Sequence, residues 1–159
     1  MIFVSRPVKH ALFYAVFLSA LLIDQFAKYL TVSAMRLGQS IPIAGSIFRL
    51  TYITNTGAAF GMFKGANAYF IILSALFLVF LYIYLVTRKS VPLLTQAALG
   101  LISGGATGNL LDRIFRGHVV DFFDVRFFSV FNTADVMINL GVAILLLELV
   151  ILRSADKRD

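Results

Sequence analysis

The sequence predicts an all-α integral membrane protein with four transmembrane helices, a small β-like cradle and an interfacial helix. Composition is the first reason. Hydrophobic residues make up 60% of the 159-residue chain and charged residues 14%, whereas soluble domains have roughly 45–50% and about 25%. The second reason is that four segments are apolar over about 20 residues, the length that crosses a bilayer. We expect one membrane-embedded domain over residues 1–159.

The four predicted spans cover residues 10–32, 66–86, 93–111 and 133–152. The first one could also be a cleaved signal peptide, because Arg6 and Lys9 precede it and Val32-Ser33-Ala34 would be a passable cleavage site. Its apolar run continues past Asp24 and Lys28, however, and is too long for a signal peptide. A retained helix is therefore expected.

An even number of spans places both termini on the same side of the membrane. The 14 Lys and Arg residues divide into seven on the terminal side and seven on the other. On the terminal side the seven Lys and Arg residues lie in shorter segments, and that side lacks the cluster of Asp residues. The positive-inside rule therefore favours cytoplasmic termini, with residues 32–65 and 111–132 on the outer side.

The first outer loop contains two unusual pieces. Residues 41–52, IPIAGSIFRLTY, are rich in β-branched and aromatic residues and contain a Pro and a Gly, which predicts short strands. Residues 57–63, GAAFGMF, form a short apolar piece that could lie in the membrane interface as a helix. Both pieces would keep this loop at the membrane surface.

The third span carries glycines at four-residue spacing, at Gly100, Gly104 and Gly108. Small residues at this spacing allow the backbones of two membrane helices to approach closely. We expect a tight helix–helix contact here rather than a ligand site.

Composition excludes several kinds of chemistry. The chain has no Cys and only two His residues, His10 and His118, so thiol nucleophiles, Cys-ligated metals and multi-His metal sites are absent. Ser103-Gly104 lacks the spacing of a serine intramembrane protease. A divalent metal held by carboxylates would have no supporting His, and we expect no cofactor. The net charge of +6 suits anionic lipid headgroups, and no basic stripe indicates nucleic-acid binding.

Five carboxylates fall at or near the outer membrane face, and ionisable groups near hydrocarbon are candidates for function. They are Asp24, Asp112, Asp121, Asp124 and Asp135. Some have simpler interpretations. Asp24 lies four residues before Lys28, so the two could form a structural ion pair on one helix. Asp112 and its neighbour Arg113 could form a solvated helix end.

Asp121 and Asp135 are the strongest candidates for catalysis. Asp135 follows Asn132 by three residues, so it could simply belong to the N-terminal cap of the fourth helix. Asp121 is flanked on both sides by pairs of apolar residues, which is unusual for a solvated loop. Two carboxylates close together share one proton. The ionised one can activate water while the protonated one polarises a carbonyl, so the residues predict a carboxylate-pair hydrolase.

Five sequence blocks occur in the same order as in a known family. They are IDQFAK, NTGAAF, GGATGNLLDR, GHVVDF and FNTAD. Together they resemble signal peptidase II, the lipoprotein signal peptidase of bacteria. The chain departs from the family pattern at Ala27, where a small hydroxyl residue is common, and at Ser129-Val130, where a Pro is frequent.

The resemblance implies four helices, a periplasmic β-like cradle and an aspartyl dyad formed by Asp121 and Asp135. It also implies residues that shape or support the site, namely Asn55, Gly57, Asn109, Arg113 and Asn132. Asp24 and Lys28 match the first block, with a structural or lipid-facing role.

The activity that the resemblance implies is removal of the signal peptide from a diacylglyceryl-modified prolipoprotein. The cut would lie just before the lipid-modified cysteine, at the outer face of the bacterial inner membrane. We expect lipid-modified prolipoproteins and membrane lipid as partners, no nucleic acid, and a monomer. Two other hypotheses remain at this point: a small four-helix transporter with Asp24 as its coupling group, and a non-catalytic assembly partner.

Overall fold

A computed structural model describes residues 10–45, 47–57 and 66–156, with side chains up to residue 151. These residues form a bundle of helices with a small antiparallel sheet at one end, as the sequence predicted. In chain order the elements are α1 Ala11–Ala34, β1 Ser40–Ala44, β2 Phe48–Asn55, α2 Asn67–Thr87, α3 Leu93–Arg116, β3 Val119–Val125 and α4 Thr133–Asp156.

Three helices within the described residues are long and apolar enough to cross a membrane: Ala11–Ala34, Asn67–Thr87 and Thr133–Ile151. They correspond to the first, second and fourth predicted spans. Helix α3 covers the third predicted span, but it is less apolar than the other three. It packs mainly against α1 and α4 and also against α2. A helix surrounded by other helices can carry small and polar residues, because those residues do not face lipid.

The glycines of α3 allow close contact with α1, as predicted. A Cβ atom added at Gly104 would lie 2.6 Å from the Cβ of Ala20 and 2.7 Å from the carbonyl oxygen of Phe17. At Gly100 it would lie 2.9 Å from the carbonyl oxygen of Phe13. At Gly108 it would overlap the carboxylate of Asp24, so this glycine makes room for a charged group.

Two further glycines, which the sequence analysis did not single out, bring α3 close to α4. A Cβ added at Gly105 would lie 2.6 Å from the carbonyl oxygen of Ala134, and one added at Gly141 would lie 2.6 Å from that of Ala98. Helix α3 is therefore held closely between two neighbours. This fixes the position of the residues near its C-terminal end.

The sheet has the order β1-β2-β3 with antiparallel pairing throughout. Strands β1 and β2 confirm the prediction for residues 41–52. Strand β3 was not predicted, because its sequence VVDFFDV does not alternate apolar and polar residues and its partner β2 lies far away in the chain. The predicted interfacial helix at residues 57–63 lies, apart from Gly57, outside the described residues.

The sheet packs at the end of the bundle where α1 and α3 end and α4 begins. Strand β3 contacts both α1 and α3. The backbone N–H groups of Phe122 and Phe123 donate to the carbonyl oxygen of Phe131, the residue that precedes the start of α4 by two positions. Strand β3 and the first turn of α4 are therefore adjacent, and this brings Asp121 and Asp135 to the same region.

Candidate active site

Asp121 lies in β3 with 2% of its surface exposed. Its neighbour across the sheet is Ile53 of β2. The last residue of β2, Asn55, donates its side-chain amide to Oδ2 of Asp121 at 3.1 Å. The side-chain amide of Asn132 donates to Oδ1 at 2.7 Å. Both carboxylate oxygens are thus held by neutral N–H donors.

Asp135 and Asn132 form a reciprocal cap at the start of α4. The backbone N–H of Asp135 donates to Oδ1 of Asn132 at 3.1 Å, and the backbone N–H of Asn132 donates to Oδ2 of Asp135 at 3.1 Å. The capping interpretation of the sequence is therefore confirmed. The cap uses only Oδ2 of the Asp135 carboxylate. The other oxygen, Oδ1, accepts a hydrogen bond from the side-chain amide of Asn109 at 2.9 Å.

The two carboxylates line one cavity of about 450 Å³. Asn55, Gly57, Asn109 and Arg113 contribute to its wall, so four of the predicted supporting residues lie around the same space. The rest of the wall is largely apolar and includes Phe70, Val119, Phe128, Phe131, Val136 and Ile138. The apolar part of the wall was not predicted, since nothing in a run of Phe and Val distinguishes residues that line a cavity from residues that pack in a core.

Burial raises the pKa of Asp121 to about 6 from an ordinary value of 3.8, and the nearby carboxylate of Asp135 adds to the increase. The amides of Asn55 and Asn132 and the charge of Lys28 act in the opposite direction. A carboxyl group with a raised pKa beside a second carboxylate is the arrangement in which one proton is shared. The pair can therefore supply an acid and a base together.

Arg113 and Gly57 connect α3 to the end of β2. Nη2 of Arg113 donates to the carbonyl oxygen of Gly57 at 3.2 Å, and the backbone N–H of Gly57 donates to Oδ1 of Asn55 at 2.9 Å. The guanidinium also lies 5.2 Å from the ring centre of Phe70, a cation–π distance. These contacts hold Asn55 in the orientation in which its amide nitrogen faces Asp121.

Asp24 and Lys28 lie behind the cavity rather than in its wall. They form the predicted ion pair, with 2.9 Å between Nζ of Lys28 and Oδ2 of Asp24, and both side chains are completely buried. Asp24 also accepts the backbone N–H of Ala134 at 2.8 Å, so α1 holds the first turn of α4. A lipid-facing role for these two residues is therefore wrong.

Asp112 corrects a second prediction. It is not a solvated helix end, because only 1% of its surface is exposed. Nζ of Lys28 lies 3.0 Å from its Oδ2, Nε of Arg116 lies 3.2 Å from its Oδ1, and the backbone N–H of Val120 donates to Oδ2 at 3.1 Å. The available signal was Lys28 in an apolar helix, since the three N–H donors of a buried ammonium need acceptors beyond Asp24.

Asp124 lies away from the cavity wall. It accepts a hydrogen bond from the hydroxyl of Thr51, and its partner across the sheet is Arg49. Its contacts are therefore those of a residue that stabilises the sheet.

Comparison with known proteins agrees with the resemblance in the sequence. Residues 16–151 match the family model described as signal peptidase (SPase) II. A lipoprotein signal peptidase of Halothermothrix orenii is 43% identical over 86% of this chain and 93% of its own length. That of Brevibacillus brevis is 42% identical over 79% and 86%, and that of Fusobacterium nucleatum is 38% identical over 83% and 82%.

Two solved structures, both described as bacterial membrane enzymes, have the same fold. One has a TM-score of 0.83 and 28% identity, covering 92% of this chain and 91% of the other. The second has a TM-score of 0.78 and 30% identity, covering 86% and 91%. The family match, the relatives and the fold agree, and the chain belongs to the signal peptidase II family of bacterial membrane proteases.

Proposed function

We propose that this chain is an aspartic endopeptidase that removes the signal peptide from diacylglyceryl-modified prolipoproteins, cutting just before the lipid-modified cysteine. The observation that carries the catalytic part is that Asp121 and Asp135 line one cavity, each held by side-chain amide donors. The substrate part rests on the relatives, which are lipoprotein signal peptidases.

The two carboxylates have different surroundings, which suggests different roles. Asp135 accepts two N–H donors at the N-terminus of α4, where the helix dipole favours negative charge. We assign it as the base that takes a proton from water. Asp121, with its pKa raised to about 6 by burial, is assigned as the acid. It donates its proton to the developing oxyanion and takes a proton back from the tetrahedral intermediate when that intermediate collapses, while Asp135 passes the proton taken from water to the leaving amine.

The arrangement in the membrane follows from the burial of α3. We propose that α3 is a fourth span enclosed by the other three, because its 24 residues extend about 36 Å, enough to cross a hydrocarbon layer of about 30 Å. We propose that both termini lie in the cytoplasm and the sheet and cavity at the periplasmic face, the orientation that the positive-inside rule favours. Labelling of a C-terminal tag from outside intact cells would contradict this orientation.

The apolar part of the cavity wall, including Phe70, Phe128 and Val136, suits a lipid-modified substrate better than a polar peptide. Burial of acyl groups contributes about 0.8 kcal/mol per CH₂.

The test is cleavage of a synthetic precursor peptide by the purified protein in detergent. The same peptide is compared with and without a diacylglyceryl group on its cysteine. We expect cleavage on the amino side of the lipidated cysteine and little cleavage of the unmodified peptide. Equal rates on the two peptides would contradict the proposed substrate class, and no cleavage of either would contradict the proposed activity.

The transporter hypothesis has less support. It requires Asp24 to exchange protons or cations with water, yet this carboxylate is completely buried and bonded to Lys28 and to the backbone of α4.

A further inference from the structure

The ammonium group of Lys28 contacts three different side chains. Nζ lies 2.9 Å from Oδ2 of Asp24, 3.0 Å from Oδ2 of Asp112 and 2.8 Å from Oδ1 of Asn109. An ammonium has three N–H donors and no acceptor, so three partners use its full capacity. Two of them are carboxylates, whose combined charge is balanced by Lys28 together with Arg116. The third is a neutral amide that itself contacts Asp135.

The amide of Asn109 has two unlike ends, an oxygen that accepts and a nitrogen that donates. Lys28 can bond only to the oxygen. Asn132 also donates to this oxygen, at 3.0 Å. The nitrogen of Asn109 is therefore directed to the opposite side, where it donates to Oδ1 of Asp135 at 2.9 Å.

Asn132 extends this hydrogen-bond network from Asn109 to Asp121. The amide nitrogen of Asn132 donates to Oδ1 of Asn109 and also to Oδ1 of Asp121. A reversed Asn109 would present a nitrogen to the nitrogen of Asn132 and an oxygen to the oxygen of Asp135. Both contacts would then be repulsive while Asp135 is ionised.

We propose that Lys28 is a positioning residue for the carboxylate pair, and that it acts, together with Asn132, by fixing which end of the Asn109 amide faces Asp135. This inference rests on the catalytic roles proposed above for Asp121 and Asp135. It gives the buried ion cluster a part in catalysis that is separate from its contribution to folding.

The expected consequence is a change in the pH dependence of the reaction. The charged groups around the network are Asp24 on α1; Asp112, Arg113 and Arg116 on α3; Asp121 on β3; and Asp135 on α4. An N–H donor favours the ionised form of a carboxylate, and an oxygen in its place favours the protonated form. Without Lys28, the pair should release its first proton at a higher pH.

The test uses a variant that keeps the charge of the cluster balanced. Lys28→Met alone would leave Asp24 and Asp112 with only Arg116 as a cation. The double variant Asp24→Asn/Lys28→Met leaves one anion and one cation, Asp112 and Arg116. Asp24→Asn alone is the matched control, because it loses the ion pair but keeps the bond from Lys28 to Asn109. Lys28→Arg is the conservative variant that keeps a cation with N–H donors.

Cleavage of the lipidated precursor peptide is measured against pH for the wild type and these variants. In the double variant we expect kcat to fall on the order of 10²-fold, as for a small misplacement of reacting groups, with KM nearly unchanged. The acidic limb of its profile should move to higher pH. Asp24→Asn and Lys28→Arg should keep the acidic limb of the wild type, even where their thermal stability is lower.

The pH at which the acidic limb of the profile lies does not depend on the amount of folded enzyme. If the acidic limb of the double variant lies at the same pH as that of the wild type, whether its cleavage rate is full or reduced, the inference is overturned. If the double variant does not fold, Asn109→Leu provides the test. It removes the donor to Asp135 without adding a charge, so its acidic limb should also move to higher pH, and an unmoved limb would overturn the inference. An inactive wild type would contradict the proposed function instead.

Discussion

Asn132 donates its side-chain amide to Asp121 at 2.7 Å, while its side-chain oxygen accepts the backbone N–H of Asp135 in the first turn of α4. This side chain thus connects β3 to the start of α4, and the backbone N–H of the same residue donates to the carboxylate of Asp135 at 3.1 Å.

The two roles of Asn132 should be separable by substitution. Asn132→Ser keeps an oxygen for the cap but has no amide to hold Asp121. Asn132→Ala has neither, and loss of an N-cap costs about 0.5–2 kcal/mol. We expect both variants to lose activity, and only Asn132→Ala to lose stability by the amount of the cap. Thermal unfolding and cleavage rate are measured on the same preparations. Full activity in Asn132→Ser would show that the bond to Asp121 is not needed.

The corrected position of Asp112 predicts a large effect on folding. Asp112→Asn leaves a buried cluster with excess positive charge around Lys28, and breaking a buried ion pair costs about 3–5 kcal/mol. Arg116→Gln is the matched control, because the Arg116 side chain is 35% exposed and exposed pairs contribute about 0–1 kcal/mol. Denaturant or thermal unfolding of both variants gives the comparison. Equal stabilities would show that Asp112 does not act as a buried partner.

Gly104 should be sensitive to any added side chain. Gly104→Leu places atoms where even a Cβ would lie 2.6 Å from Ala20, so α1 and α3 must separate. Thermal stability and activity should fall together. Normal stability and expression with no activity would instead make Gly104 a residue of the site.

The raised pKa of Asp121 predicts a pH-dependent stability. A carboxyl group with a pKa of about 6 in the folded protein and 3.8 in the unfolded chain favours the fold while it is protonated. Its contribution is lost as the pH rises from about 4 to about 6. Asp121→Asn removes this dependence. The unfolding temperature of the variant, relative to the wild type, should therefore rise between about pH 4 and pH 7. A difference that does not change with pH would contradict the assigned burial of Asp121.

Much of this fold follows from patterns that are local in the sequence. Apolar runs of about 20 residues predict helices, the β-branched stretch at residues 41–52 predicts β1 and β2, and the spacing of Gly100, Gly104 and Gly108 predicts a close contact. Strand β3 was missed because its pairing with β2 joins segments far apart in the chain.

The site was predictable to the extent that its residues lie in recognisable blocks. The asparagines around Asp121 and Asp135 were predicted in this way, and the two carboxylates also from their position near the membrane face. The burial of Asp112 was not, since an Asp-Arg pair at a helix end has the same sequence whether water or a lysine from another helix lies opposite. Its partner Lys28 is 84 positions away, and only packing of α1 against α3 brings them together.

The central claim is that Asp121 and Asp135 are the catalytic pair, and a cleavage assay on Asp→Asn variants tests it most directly. Asn keeps the size of Asp but cannot take up or release the proton. At Asp135 it also keeps an acceptor for the helix cap, so fraying should cost no more than about 0.3–1 kcal/mol. Asp124→Asn is the control, since Asp124 is bonded to Thr51 in the sheet.

Wild type and the three variants are compared on the lipidated precursor at equal amounts of folded protein. We predict that Asp121→Asn and Asp135→Asn each lose at least about 10²-fold in rate while remaining folded, and that Asp124→Asn stays active. Activity near that of the wild type in either Asp121→Asn or Asp135→Asn would contradict the aspartic mechanism.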